Sequence, residues 1–331
     1  MEISLMRLLR QSPGPVQFAC FAALFLTIQC STVFAGVINW NVTFGDVTSS
    51  TGVGFDDPTL GAARRQIFQD TLDYIDSVLD ETGTVDLLVN ASQTDGTGFL
   101  ASAGPYFFNG SAGFYNGFVY DHVRTGSDPT SIVADATLTF DFGYNWNSDL
   151  GTPTTGEYDL FTVVLHEMTH TLGYLTALDS AGNSELSGGN PGVYSVFDSL
   201  LARGDGTSLF GAGGTFTGTA ADLVSEDVFF TGTNASLAYG GPVPIYAPST
   251  FAPGSSIGHL DNGITSVMNY SVAPGTTQRT YEAVDLGILA DIGWNLQSST
   301  VPEPTSALAM AILGIIAFAG KRSRHRAANP A

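Results

Sequence analysis

His166 and His170 stand four residues apart in the run Leu165-His166-Glu167-Met168-Thr169-His170-Thr171-Leu172-Gly173. On a helix, residues so spaced share a face, with Cβ atoms roughly 5–6 Å apart. Two imidazoles there can offer nitrogen lone pairs to one Zn²⁺. Glu167 then lies beside the metal, where a carboxylate can take a proton from an activated water. Such a pattern can also arise by chance, and two helical histidines can be ordinary surface residues. Three features oppose that plainer reading. Phe161, Val164, Leu165, Met168 and Leu172 form an apolar stripe at helical spacing. Gly156 and the Thr-rich run before it offer a start, and Gly173 a left-handed stop. The whole chain has five histidines, and two of them fall here.

A catalytic zinc takes three protein ligands and leaves one position for water. The compact form of this motif puts its third histidine six residues after the second, a position held here by Thr176. Asp179 and Glu185 are nearby carboxylates, but Asn183-Ser184-Glu185-Leu186-Ser187-Gly188 does not read as a helix that could present a ligand. The other histidines between the two termini are His122 and His259. His259 is the better candidate. It lies in Ser255-Ser256-Ile257-Gly258-His259-Leu260-Asp261, ahead of Ser266-Val267-Met268-Asn269-Tyr270. His122 reads as a loop or cleft residue.

These residues carry a resemblance. The chain resembles the metzincin zinc peptidases with a long insertion before the third histidine, as in leishmanolysin-like peptidases. Ser266-Val267-Met268-Asn269-Tyr270 is similar to the Met-turn of serralysins and astacins. The resemblance covers roughly 36–296, although its specific motifs fill a small part of that length. It implies that His166, His170 and His259 bind zinc and that Glu167 is the general base. It implies that Gly173 is the bend ending the helix, and that Met268 packs beneath the metal without ligating it. Tyr270 matches a tyrosine that approaches the metal and stabilises the oxyanion, and it reads equally well as a buried core tyrosine. A carboxylate or His122 remains an alternative third ligand. Matrixins and their relatives bind structural metals just before the motif helix. Here Asp121, Asp128, Asp141 and Asp149 precede it, and Ca²⁺ there is the second reading, after solvated loops, because EF-hand spacing is missing.

The elements that must position these groups are legible in outline. Strands are expected at 37–44, 85–89 and 137–142, with two more and a loop within 99–123. Helices are expected at 58–79, 157–172 and 281–292, with a short one at 193–201. Short strands should follow near Val228 and Ile245. This order predicts an α+β, zincin-like fold. An N-terminal subdomain (36–175) would hold a twisted mixed sheet and two main helices. A loop-rich C-terminal subdomain (176–300) would carry His259 and the Met-turn and end in a helix. A strand within 106–123 is expected to pair with an extended substrate by edge addition.

The ends of the chain speak to destination. Residues 1–35 read as a secretory signal peptide, with Arg7 and Arg10, an apolar core at 18–28, and Val33-Phe34-Ala35 before Gly36. Val301-Pro302-Glu303-Pro304, an apolar run and Lys321-Arg322-Ser323-Arg324-His325-Arg326 follow at the other end. This order, within 301–326, resembles the PEP-CTERM sorting signal of Gram-negative bacteria. It implies an exosortase-type partner, transient inner-membrane anchoring, and delivery to the cell envelope, surface or extracellular matrix. A plain tail anchor is the alternative, and either reading puts the basic tail on the cytoplasmic side. Both cysteines, Cys20 and Cys30, lie in the expected signal peptide, so the exported protein would have no disulfide and no cysteine latch on the zinc.

The whole chain carries −20. The first 35 residues carry +1 (Glu2, Arg7, Arg10) and residues 301–331 carry +3 (Glu303, Lys321, Arg322, Arg324, Arg326), leaving −24 on 36–300 with five arginines and no lysine. Such a surface is a poor partner for nucleic acid. The functional expectation is a secreted zinc endopeptidase acting on a protein or peptide substrate. The competing expectation is a catalytically idle surface or matrix-binding protein on the same scaffold, and an intact Glu167 argues against it.

Overall fold

The computed structural model describes residues 36–298 except 94, 95, 109 and 132. The expected signal peptide, the sorting segment at 301–326 and both cysteines lie outside the described residues. Among the described residues, no helix is long and apolar enough to cross a membrane.

The sheet that supports the site starts with β1 (Ile38–Phe44), which leads through a short helix α1 (Gly45–Ser49) to α2 (Gly61–Val78) and then β2 (Gly83–Gln93). β1 and β2 pair in parallel, and α2 forms part of the crossover that parallel neighbours require. β3 (Ala101–Pro105), β4 (Gly113–Tyr115), α3 (Phe118–Thr125) and β5 (Ala136–Asp141) follow. The order is β1-β2-β5-β3, with β3 the antiparallel edge strand. Residues alternate between faces along a strand. Val85, Leu87 and Val89 on β2 and Ala136, Leu138 and Phe140 on β5 are therefore buried together, in a core shared with Leu72 and Ile75 of α2.

A small ladder of β6 (Trp146–Asn147) and β7 (Tyr158–Asp159) opens onto α4 (Leu160–Thr171), the motif helix. Its start is corrected from the expected Glu157. Asp159 is the N-cap, its carboxylate accepting from the Thr162 amide at 3.0 Å and the Thr162 hydroxyl at 2.7 Å. A buried aspartate is a stronger cap than the Thr-rich run upstream, and Arg279 clamps it from across the molecule while donating to the Leu150 and Gly151 carbonyls. Apart from half-buried His166, every residue of α4 is buried, so this is a central helix with protein on all sides.

Gly173 ends it as expected, at φ +95°. A Cβ there would lie 3.2 Å from the Asn116 carbonyl oxygen, and Trp294 Nε1 donates to the Leu172 carbonyl at 2.7 Å. Gly173→Ala should destabilise the protein by roughly 1–3 kcal/mol in denaturant titration, because alanine must hold a left-handed backbone. Loss of under about 0.5 kcal/mol would show that the bend tolerates a side chain.

An insertion of some eighty residues follows, counted from Thr176 to Gly258. The helix expected at 193–201 is replaced by β8 (Val193–Ser195), a 3₁₀ turn at Asp198–Leu200 and β9 (Leu201–Arg203). β8 pairs with β4, and β9 joins a three-stranded sheet with β12 (Val228–Phe230) and β13 (Val243–Pro244). β10 (Phe210–Gly211) and β11 (Thr215–Phe216) form a small hairpin between them. The short strands expected near Val228 and Ile245 are β12 and β13, and Ile245 itself adds a single bridge to Leu260. α5 (Thr233–Tyr239) packs on α6 (Ala283–Asp291) at Gly287, where a Cβ would come within 2.6 Å of Ala235 backbone atoms. The described architecture is α+β, with six helices among the described residues.

Candidate active site

α4 delivers His166 and His170 from one face, and the returning chain delivers His259. The three Nε2 atoms form a triangle, with His166 and His170 3.2 Å apart and each 3.1 Å from His259. Each ring is held from behind. His166 Nδ1 bonds the Val267 carbonyl at 2.8 Å, His170 Nδ1 the Tyr174 carbonyl at 2.7 Å, and His259 Nδ1 the Ser255 carbonyl at 2.8 Å. A carbonyl only accepts, so every Nδ1 carries the proton and every Nε2 of a neutral ring presents a lone pair. Burial pushes all three pKa values down, His259 to about 3, and mutual repulsion deepens the effect at His170.

Three lone pairs converging this closely have no proton between them and repel one another unless a cation sits at their focus. The edges are close to the roughly 3.3 Å spanned by two Zn–N bonds of about 2.0–2.1 Å at tetrahedral angles. The three histidines thus form a group that could hold a metal ion. The carbonyl supports are the outer shell that orients ligating imidazoles.

Glu167, next in sequence to His166, is 5 % exposed. Its Oε2 is buried with no hydrogen-bond partner, and burial pushes its pKa up to about 8. Such an oxygen is costly unless something polar meets it. The group lies on the floor of a cleft of about 880 Å³, whose lining includes His166, Glu167, His170 and His259. Edge strand β3 forms one wall, and Val267 with 269–273 forms another. The range 106–123, where a strand is expected, holds β4, which pairs with β8, while β3 lies just before that range and lines the cleft. The end of the range belongs to α3, because Phe118, Val119, His122 and Val123 bury at helical spacing and left-handed Gly126 stops the helix.

His122 is accordingly a buried helix residue, and neither a loop residue nor part of the cleft lining. Its Nδ1 bonds Asp135 Oδ2 at 2.8 Å and lies 3.9 Å from Asp86 Oδ2, a second group that could hold a metal. The four aspartates weighed for calcium do not assemble into such a group among the described residues. Asp141, for instance, accepts from the Gly96 and Gly143 amides, and Asp149 from Gly151.

Met268 is fully buried in the turn behind His166, where its amide donates to Ser266 Oγ and its carbonyl accepts from Leu260. Asp285 of α6, which sequence reasoning missed, ties this turn down. It accepts from the Ser266 hydroxyl and the Val267 amide while closing a capping box with Glu282. Tyr270 lines the cleft at 36 % exposure, its ring stacked on Tyr246 at 3.7 Å, so it is not a buried core tyrosine.

Thr176 shows why the third histidine can arrive so late. A Cβ on Gly258 would lie 3.4 Å from Thr176 Cγ2, so the insertion ends beside the position where it began. Asp198 holds that junction, accepting from the Thr176 hydroxyl (2.6 Å), the Ala177 amide (2.9 Å) and the Ser195 amide (3.0 Å). Burial raises its pKa from 3.8 to about 6. The folded value lies above the unfolded one, so its contribution to stability is complete below about pH 4 and is lost as pH rises through about 6. Thermal unfolding should therefore show wild type ahead of Asp198→Asn by a margin that narrows between about pH 4 and pH 7. A margin that widened over that range would contradict the assignment.

Comparison of the chain with family models, curated proteins and solved structures gave no match.

Proposed function

We propose that this chain is a zinc-dependent endopeptidase. The observation that carries the proposal is the convergence of three Nε2 lone pairs beside the unpartnered Glu167 carboxylate, on the floor of a cleft bounded by a sheet edge. The donor set suits zinc: three imidazoles with room for a water is a catalytic arrangement, not a closed structural one.

A zinc ion held there by His166, His170 and His259 would supply a Lewis acid, able to polarise a peptide carbonyl and to bring the pKa of water towards about 7. The protein does the rest. β3 offers its free backbone edge to an extended chain, laying a scissile peptide across the histidines. Glu167 Oε2 takes the proton of the attacking water and passes it to the departing amine nitrogen. Tyr270, which lines the same cleft, would donate a hydrogen bond to developing negative charge. Val267, Tyr174 and Ser255 keep the imidazoles in one tautomer throughout.

The reading extends to destination: a chain exported by its N-terminus and sorted through its Pro-Glu-Pro segment by an exosortase-type enzyme. Chelator-sensitive cleavage of an unstructured protein substrate, restored by added zinc, is the expected behaviour. Chelator-resistant cleavage, or a zinc-loaded protein that cleaves no substrate, would contradict the proposal.

A further inference from the structure

The two ends of the cleft differ chemically. At the N-terminal end of α4, Thr162 and Val163 face a wall that includes Val272 and Ala273. Beyond its C-terminal end the lining changes to Ala177, Leu178, Glu185 and Leu186. α4 has 12 residues, about 18 Å of helix, so an extended chain crosses from one end to the other within roughly five or six residues. Among the described residues, neither lysine nor arginine lines the cleft, and its acids are Glu167 and Glu185. Glu167 belongs to the chemistry described above, which leaves Glu185 as the fixed charge available to a bound chain.

We propose that Glu185 selects a lysine or arginine side chain in the substrate, at one position on the side of the scissile bond that lies beyond the C-terminus of α4. The inference rests on the endopeptidase reading and adds a substrate class to it.

Glu185 is held for this task. Its amide donates to the Ala177 carbonyl at 2.8 Å, and Leu178 and Ser184 form an antiparallel bridge beside it. The Asp179 carboxylate closes the intervening turn by accepting from the Ala181 and Asn183 amides. Ser184 Oγ donates to the Val193 carbonyl and accepts from the Leu186 and Ser187 amides, and the Tyr194 hydroxyl donates to the Gly182 carbonyl. Glu185 as a whole is an exposed residue, and among the described residues every ion pair is made elsewhere. Partial burial and the nearby Asp179 charge raise its pKa, as expected of an acid that lacks a cation. Asp179 adds to the negative potential, and the −24 carried by 36–300 draws cationic chains towards the surface at low salt.

An exposed glutamate is ordinarily a solvated group whose ion pairs contribute little. What separates Glu185 from that case is a firmly held backbone at a cleft wall, where a bound chain displaces water and a guanidinium can meet the carboxylate with paired hydrogen bonds. The expected effect is that of one charge-assisted hydrogen-bonded pair, about tenfold in kcat/KM.

The test is a cleavage profile of the zinc-loaded full chain and its E185Q and E185R variants on a peptide library. Wild type should show one position enriched in Arg and Lys. E185Q should lose that enrichment, cleaving the best Arg peptide about tenfold less efficiently and its Gln counterpart at the wild-type rate. E185R should favour Asp or Glu at the same position. No basic enrichment in wild type, or the same enrichment in E185Q, overturns the inference while leaving the peptidase reading intact. If wild type cleaves no peptide, the peptidase reading fails, and fluorescence anisotropy with labelled Arg and Gln peptides of otherwise equal sequence still decides the role of Glu185. Tighter Arg binding that E185Q abolishes supports it, and equal affinity overturns it.

Discussion

Replacing Glu167 with glutamine should lower kcat by roughly 10²–10⁴-fold, the range lost when a positioned general base is removed, while the protein should keep one zinc per chain. Glutamine has the same shape and cannot take a proton. None of the imidazole supports passes through Glu167, since they come from the Val267, Tyr174 and Ser255 carbonyls. The fold should not suffer either. Burial pushes the Glu167 pKa from 4.5 to about 8 in the metal-free protein, so its folded value lies above its unfolded one. Its contribution to stability is then lost as pH rises through about 8, and near neutral pH the uncharged glutamine is the easier group to bury. Zinc-free E167Q is expected to unfold at or above the wild-type temperature. An E167Q protein with full turnover would place the base elsewhere.

The second large effect is His259→Ala. It removes one of three ligands and should cost more than the roughly 10–100-fold in zinc affinity that follows loss of a supporting outer-shell group. Activity should fall with occupancy. His122→Ala is the matched control. It breaks the bond to Asp135 and should lower stability, but it should leave zinc at the three-histidine group, since His122 belongs to a separate group. Zinc affinity unchanged in H259A would remove His259 from the site. Isothermal titration with zinc, on protein stripped by a chelator, gives both affinities.

What the sequence made legible follows from how local each signal is. His166, Glu167, His170 and Gly173 sit in one helical turn and its stop, so spacing alone placed them. α2, β1, β2 and β5 are long enough for their periods to be read. The helix expected at 193–201 failed because Val193, Tyr194, Val196, Phe197, Leu200 and Leu201 fit both periods. Pairing with β4 and β12 then decided the matter, and such pairing is invisible in one short window. α3 was hidden by Phe118, Val119 and Tyr120, residues that favour strands. The signal for a helix was present in the four-residue repeat of buried positions and in Gly126.

Non-local devices were the least visible. Ligand count pointed to His259, and the structure brings it to the other two histidines. Nothing in the intervening residues announced that Asp198 would pin Thr176 to Ser195 so that the chain could return. Likewise Asp285 braces the Met268 turn from 17 residues away, and Arg279 holds the Asp159 cap from 120 residues away. These are buried carboxylates whose partners are set by tertiary structure, and spacing carries no trace of them.

The central claim is that one zinc is held by His166, His170 and His259 with a fourth position open to water. X-ray absorption at the zinc edge, on protein loaded with one equivalent of zinc, tests it most directly. The account predicts a shell of three imidazole nitrogens and one oxygen at about 2.0–2.1 Å, falling to two imidazoles in H259A. A wild-type shell with two imidazoles or fewer, or one unchanged by H259A, would contradict it.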